Sequence, residues 1–183
     1  MYIPIILGTA RDGRRSEKAA QFIFEEVKKS GLQTEILDVR DFVKAGVTDD
    51  TETSAEAKKF GEKIEAADGL IIVSPEYNHG YPGELKIMLD TIEDQYSRKP
   101  VGICGVSSGG FGGVRMVNQL QQVLIDLGLV PIKTTLYFRE VKKLFNEVGE
   151  IQDQSYYERV SKFLNELMWY AEALRSAREK TKH

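Results

Sequence analysis

Four consecutive apolar residues, Leu70-Ile71-Ile72-Val73, admit few structures. A strand with one wet face alternates apolar and polar side chains, so a run with no polar member is covered on both faces. The run then breaks into Ser74-Pro75-Glu76-Tyr77-Asn78-His79-Gly80, a composition that stops a strand and turns the chain. A buried strand ending in a tight polar turn fits a parallel sheet between two helix layers.

The remaining chain supplies partners for it. Tyr2 to Leu7, Gln33 to Val39, Pro100 to Val106 and Leu129 to Phe138 read as strands. Ser16 to Lys29 has Ala19, Ala20, Ile23, Phe24 and Val27 at helical spacing, with Ser16 as the expected N-cap and Gly31 as the stop. Ser54 to Ala67 reads as a helix with Ala57, Phe60 and Ile64 inward. Pro82 to Asp94 reads as a helix with Pro82 at its first position. Val114 to Leu127 and Tyr156 to Arg178 complete the set, and Asp41 to Thr53 is polar and irregular. Pro131 has no N–H to donate, which places the fifth strand at a sheet edge. Strands alternating with helices, without repeat or linker, predict one α/β domain over residues 1–183. The favoured arrangement is a three-layer sandwich around a five-stranded parallel sheet of order 2-1-3-4-5. In that order ligands bind above the carboxyl ends of strands one and three.

Composition narrows the function classes. A net charge of −3 creates no field that gathers nucleic acid or an anionic membrane. No apolar run approaches the roughly 18 residues of a membrane span. The start, MYIPIILG, lacks a basic leader and reads as no secretory signal. Cys104 is the single cysteine, so no internal disulfide or thiolate-only metal site is expected, and a reducing cytoplasm is the simplest compartment. Cys104 lies in an apolar run and reads as a small core residue.

Three loops carry chemistry. GTARDGRRS, residues 8–16, opens a helix and holds three arginines and two hydroxyls. A helix N-terminus offers free N–H groups and partial positive charge. Thr9 and Ser16 can add hydroxyl donors, and Arg11, Arg14 and Arg15 charged ones. The loop lacks both the Walker ending and GxGxxG, which leaves a terminal monophosphate or a solvated basic turn. In the loop after strand three, Tyr77 offers a flat face and Asn78 donors and acceptors; Glu84 reads as a helix-dipole partner, and His79 as a rim contact rather than a catalyst. GVSSGGFGGVR, residues 105–115, has five glycines in eleven residues, which permits close backbone approach to a ligand, with Ser107 and Ser108 able to bond to it. A flexible surface loop would use the same residues. Taken together, a phosphate at one end and two close-approach loops at the other suit a mononucleotide with a large planar head, such as FMN.

At these residues the chain resembles the NADPH-dependent FMN reductase family. GTARDGRRS is similar to its phosphate loop, SPEYNHGYPGELK to its Pro-Glu-Tyr-Asn loop and following Pro-Gly-x-Leu-Lys, and SSGGFGGVRMVNQLQQVL to its Gly-Gly-x-Arg segment. Residues 3–131 carry the resemblance, and Lys86-Ile87 departs from a frequent Lys-Asn. It implies a flavodoxin-like fold and noncovalent FMN. Thr9, Ala10, Arg11, Asp12, Gly13, Arg14, Arg15 and Ser16 would hold the phosphate. Pro75, Glu76, Tyr77 and Asn78 would line the isoalloxazine, and Ser107, Ser108, Gly109 and Gly110 would approach its pyrimidine side.

The implied activity is hydride transfer from NADPH or NADH through FMN to a small acceptor: a quinone, azo compound, free flavin or metal ion. No catalytic side chain or resident metal is required, and a homodimer or homotetramer is implied. Three alternatives stand beside it: a flavodoxin-type electron carrier, a non-catalytic FMN-binding protein, and a phosphate-binding enzyme without flavin. Strong acidity would favour the carrier; −3 does not.

Overall fold

The computed structural model describes residues 1–43 and 54–181; most of the irregular Asp41–Thr53 stretch, together with His183, lies outside the described residues. Its strands are β1 (Ile5–Leu7), β2 (Ile36–Asp38), β3 (Leu70–Pro75), β4 (Pro100–Val106), β5 (Val130–Pro131) and β6 (Leu136–Phe138). Every ladder between them is parallel, in the order β2-β1-β3-β4-β5, with β6 also pairing β4.

Alternation along the strands explains the uninterrupted apolar runs. Ile5, Leu7, Ile71, Val73, Cys104 and Val106 point into one core. Ile6, Leu70, Ile72, Val101 and Ile103 point into the other. Each strand therefore needs apolar side chains at both parities. Helices α1 (Ser16–Lys29) and α7 (Ser155–Lys180) cover the first face. Helices α3 (Ala55–Ala66), α4 (Gly83–Leu89) and α5 (Val114–Asp126) cover the second. Two one-turn helices, α2 (Val39–Phe42) and α6 (Val141–Leu144), follow β2 and β6 and were not expected. Gly102 shows how closely the layers meet: a Cβ there would lie 2.3 Å from the Phe163 ring. Helix α7 therefore rests on β4 at a position that carries no side chain. Cys104 is fully buried, and burial pushes its thiol far above the ordinary range, as suits a core residue.

Four expectations need correction. Ser16 is the first helical residue, and Arg15 occupies the cap position without a side-chain bond. Pro82 is the cap of α4, one residue outside the helix. That helix ends at Leu89 rather than Asp94, where the Thr91 hydroxyl donates to the Met88 carbonyl at 2.8 Å and the buried Tyr96 hydroxyl donates to that of Leu89 at 3.2 Å. A separate 3-10 turn, Asp94–Tyr96, follows.

The expected fifth strand is the fourth case: it divides into β5 and β6. Between them the Lys133 and Thr134 amides leave the sheet and donate to the Glu166 carboxylate of α7, at 3.1 and 3.0 Å. An acceptor 32 residues away from Thr134 redirects the backbone where Pro131 has already removed one donor.

Candidate functional site

Register brings the three loops together. Leu7 lies beside both Asp38 and Val73, and Pro75 beside Val106, so β1, β3 and β4 end at nearly one level. Above them is a cleft of about 360 Å³. Its walls are Arg11, Asp12, Gly13, Arg14, Arg15 and Ser16 from the first loop, Pro75, Glu76 and Tyr77 from the second, and Ser107 and Ser108 from the third. Val106, Val141 and Lys142 complete it. Among the expected residues, Thr9, Ala10, Asn78, Gly109 and Gly110 are not part of this wall.

The first loop is braced from two sides. Arg14 is buried, and its guanidinium grips Asp38 through its two terminal nitrogens and donates to the Thr9 carbonyl at 2.6 Å. Burial alone would raise the Asp38 carboxyl. The hydrogen bonds from Arg14 and the Arg40 amide outweigh burial and hold it below the usual carboxylate range. The bond to Asp38 correspondingly raises Arg14, against its own desolvation. Arg40 donates to the Ala10 carbonyl at 3.1 Å and the Arg11 carbonyl at 2.8 Å, and pairs with Asp12 at 3.1 Å. On the far side, Glu84 Oε1 accepts from the Ala10 amide at 3.1 Å and the Thr9 hydroxyl at 3.3 Å. Glu84 therefore reaches the first loop and does not act only on its own helix. The three expected arginines thus separate: Arg14 is committed to the frame, whereas Arg11 and Arg15 are exposed at the cleft wall.

At the mouth of α1 the Ser16 hydroxyl is buried and has no hydrogen-bond partner. A buried hydroxyl without a partner costs about 1–3 kcal/mol, so it marks a place for an acceptor. It stands where the free first-turn amides of a 14-residue helix converge, beside Arg11 and Arg15. An anionic oxygen cluster such as a phosphate matches this donor set.

The second loop is a two-residue hairpin. Tyr77 and Gly80 exchange both backbone hydrogen bonds at 2.9 Å, with Asn78 at φ 49° and His79 at φ 69°. Positive φ at both central positions defines a type I′ turn. It places Asn78 and His79 at an exposed tip and Tyr77 on the cleft wall. Glu76 turns the other way. Its carboxylate takes the Arg115 and Met116 amides at 3.1 and 3.4 Å, serving as the cap that α5 lacks in its own sequence.

In the third loop the glycines divide by role. Gly112 and Gly113 hold φ of 64° and 89°, and a Cβ on Gly112 would lie 2.7 Å from that of Tyr137. The fold itself needs those two. A Cβ on Gly110 would meet nothing within 4 Å, and one on Gly109 only Ser107 Oγ at 3.8 Å. Their bare surface is open to a ligand.

A parallel sheet of order 2-1-3-4-5 with a phosphate-type helix mouth and two close loops at its switch point defines a flavodoxin-like mononucleotide-binding protein. Within that class, the chain belongs to the NADPH-dependent FMN reductase family, whose sequence profile matches residues 1–143. It is 33% identical to an NAD(P)H-dependent FMN reductase of Schizosaccharomyces pombe over 76% of this chain and 78% of that one. It is 29% identical to an FMN-dependent NADPH-azoreductase of Staphylococcus haemolyticus, over 90% and 92% of the two chains. In structure it is similar to FerB, a flavoenzyme NAD(P)H:(acceptor) oxidoreductase from Paracoccus denitrificans, with a TM-score of 0.79 at 19% identity over 94% of this chain and 97% of that one.

Asp38, Arg40 and Lys142 were missed from the sequence. Asp38 and Arg40 had one available signal: the order 2-1-3 puts the end of β2 beside the loop after β1. Lys142 had none, because α6 gives no periodic pattern in four residues.

Proposed function

We propose that this chain is an FMN-dependent NAD(P)H oxidoreductase that passes hydride to a small acceptor such as a quinone or an azo compound. The observation that carries the reading is the partnerless buried Ser16 hydroxyl at the mouth of α1, in a cleft shared by all three loops. Family membership supports it. FMN bound here supplies reversible two-electron chemistry, and the protein supplies binding and orientation.

In this reading Ser16, the first-turn amides of α1, Arg11 and Arg15 hold the phosphate, and Lys142 adds charge at the same wall. Tyr77 and the backbone of residues 107–110 border the ring. Glu76 and Arg14 keep the loops in place and need not touch the ligand. No side chain is assigned a proton-transfer role. The proposal extends to one FMN-binding domain over residues 1–183, a homodimer or homotetramer, and a cytoplasmic location, the last two by family resemblance and cysteine usage. Among the described residues no helix is long and apolar enough to cross a membrane.

The test is direct. Purified protein is expected to be yellow or to take up FMN, and NADPH or NADH added without oxygen should bleach it. A quinone or azo dye should then restore the colour. Absence of FMN uptake in equilibrium dialysis would reject the proposal; uptake without bleaching would favour a binding protein.

The open glycines give a second check. Gly110→Ile should leave the melting temperature nearly unchanged, because the added side chain meets no protein atom at its Cβ. If the ring lies against this loop, FMN affinity should fall by about 1–3 kcal/mol, the usual cost of overpacking. Unaltered affinity would place the ring elsewhere.

A further inference from the structure

The loops after β1 and β3 are joined by a short chain of hydrogen bonds through a side chain that does not face the cleft. Thr9 is fully buried. Its Oγ1 lies 3.0 Å from the Tyr77 hydroxyl and 3.3 Å from Glu84 Oε1, and receives the Arg11 amide at 3.3 Å. The same Glu84 oxygen receives the Ala10 amide at 3.1 Å.

The direction of this chain follows from counting protons. A threonine hydroxyl has one hydrogen and two lone pairs, and a carboxylate only accepts. Thr9 must therefore donate to Glu84. Its lone pairs are left for the Arg11 amide and the Tyr77 hydroxyl, so Tyr77 is the donor in its bond with Thr9. Every site on Thr9 Oγ1 is then filled, and nothing of it remains for a phosphate.

We propose that Glu84 is a positioning residue: acting through Thr9, it fixes the spacing between the first loop and the Tyr77 turn and aims the Tyr77 hydroxyl at Thr9 rather than at a ligand. The assignment rests on the FMN reading and adds a residue and a mechanism to it. Its consequence is selective. A ligand that engages both loops at once depends on their spacing, whereas one that engages only the ring side does not. Preorganised spacing lowers the ordering cost of the first kind of ligand alone.

The experiment compares FMN with riboflavin, which has the same ring and no phosphate, by quenching of flavin fluorescence. For Glu84→Ala, FMN affinity should fall about tenfold, the scale of a lost charged hydrogen bond, while riboflavin affinity stays within about twofold. Glu84→Gln keeps an acceptor oxygen and should restore the parental FMN-to-riboflavin ratio. Thr9→Val, which keeps the side-chain volume, should reproduce the alanine result and gives the same reading if Glu84→Ala melts below the assay temperature. An unchanged ratio in Glu84→Ala and Thr9→Val, or an equal loss for both ligands, would overturn the proposal. Failure of the unaltered protein to bind FMN would reject the underlying flavin reading instead.

Discussion

Replacing Asp38 with Ala should lower stability by about 3 kcal/mol, or roughly 6–12 °C in melting temperature for a chain of this size. The reason lies in what is left behind. The Arg14 side chain is 3% exposed, and its guanidinium would keep the Thr9 carbonyl and only a long, 3.7 Å approach to the exposed Glu17 carboxylate. An uncompensated buried charge is among the costliest single defects. The reverse change should be milder. With Arg14→Met, Asp38 retains 21% exposure and the Arg40 amide, so water and one backbone donor can serve it. The double variant should recover part of the Asp38→Ala loss, because it removes the stranded cation.

Thermal melts of the three variants settle the order; a larger loss for Arg14→Met than for Asp38→Ala would contradict the argument. The pair also fixes a pH dependence. Because the folded Asp38 pKa lies below its unfolded value, its stabilisation is present above the unfolded pKa of about 3.9 and disappears as pH falls through the folded one. The acid limb of the stability profile should therefore flatten in the Asp38 variants.

Arg11→Ala should weaken FMN binding by about 1.5–3 kcal/mol, roughly 10- to 150-fold, if its guanidinium serves the phosphate. Arg11 suits this test because its backbone and side chain have separate duties. The loop conformation depends on its amide to Thr9 and its carbonyl from Arg40, both of which survive the substitution. The exposed guanidinium lies 5.5 Å from the Tyr77 ring centre, above its face, and makes no ion pair described in the structure. Melting temperature should hardly move, while titration calorimetry with FMN should show the loss, most clearly at low salt. Undiminished affinity would remove Arg11 from the phosphate site and leave Arg15 and Ser16 to carry it.

Much of the framework was legible because its signals are local. The end of α1 at Lys29 and the limits of β4 at Pro100 and Val106 are legible in the chain alone. Helical periodicity and an unbroken apolar run are contained within those segments. The same holds for the strand order, which follows from the number and alternation of elements. What escaped notice depends on distant partners. Glu84 meets Ala10 across 74 positions, Arg40 meets Arg11 across 29, and Glu166 meets Thr134 across 32. No window-based pattern contains such pairs. Ser16 is instructive in the other direction. Its residue type favours the cap position, yet Arg15 takes that place, and the hydroxyl of Ser16, a residue of the cleft wall, is left without a protein partner. In the proposed flavin reading, a phosphate oxygen would replace the backbone bond that this position forgoes. The Thr9 hydroxyl and the two terminal nitrogens of Arg14, expected as phosphate donors, are instead engaged by protein groups, a distinction that composition cannot make.

The interruption between β5 and β6 bears on how copies of this chain behave in crowded solution. An open sheet margin invites a foreign strand to zip onto its unpaired amides, the first event in many fibrils. Here Pro131 offers no amide, and those of Lys133 and Thr134 are already taken by Glu166. A passing strand meets a gap instead of a continuous row of donors, so the chain's outermost seam resists runaway stacking.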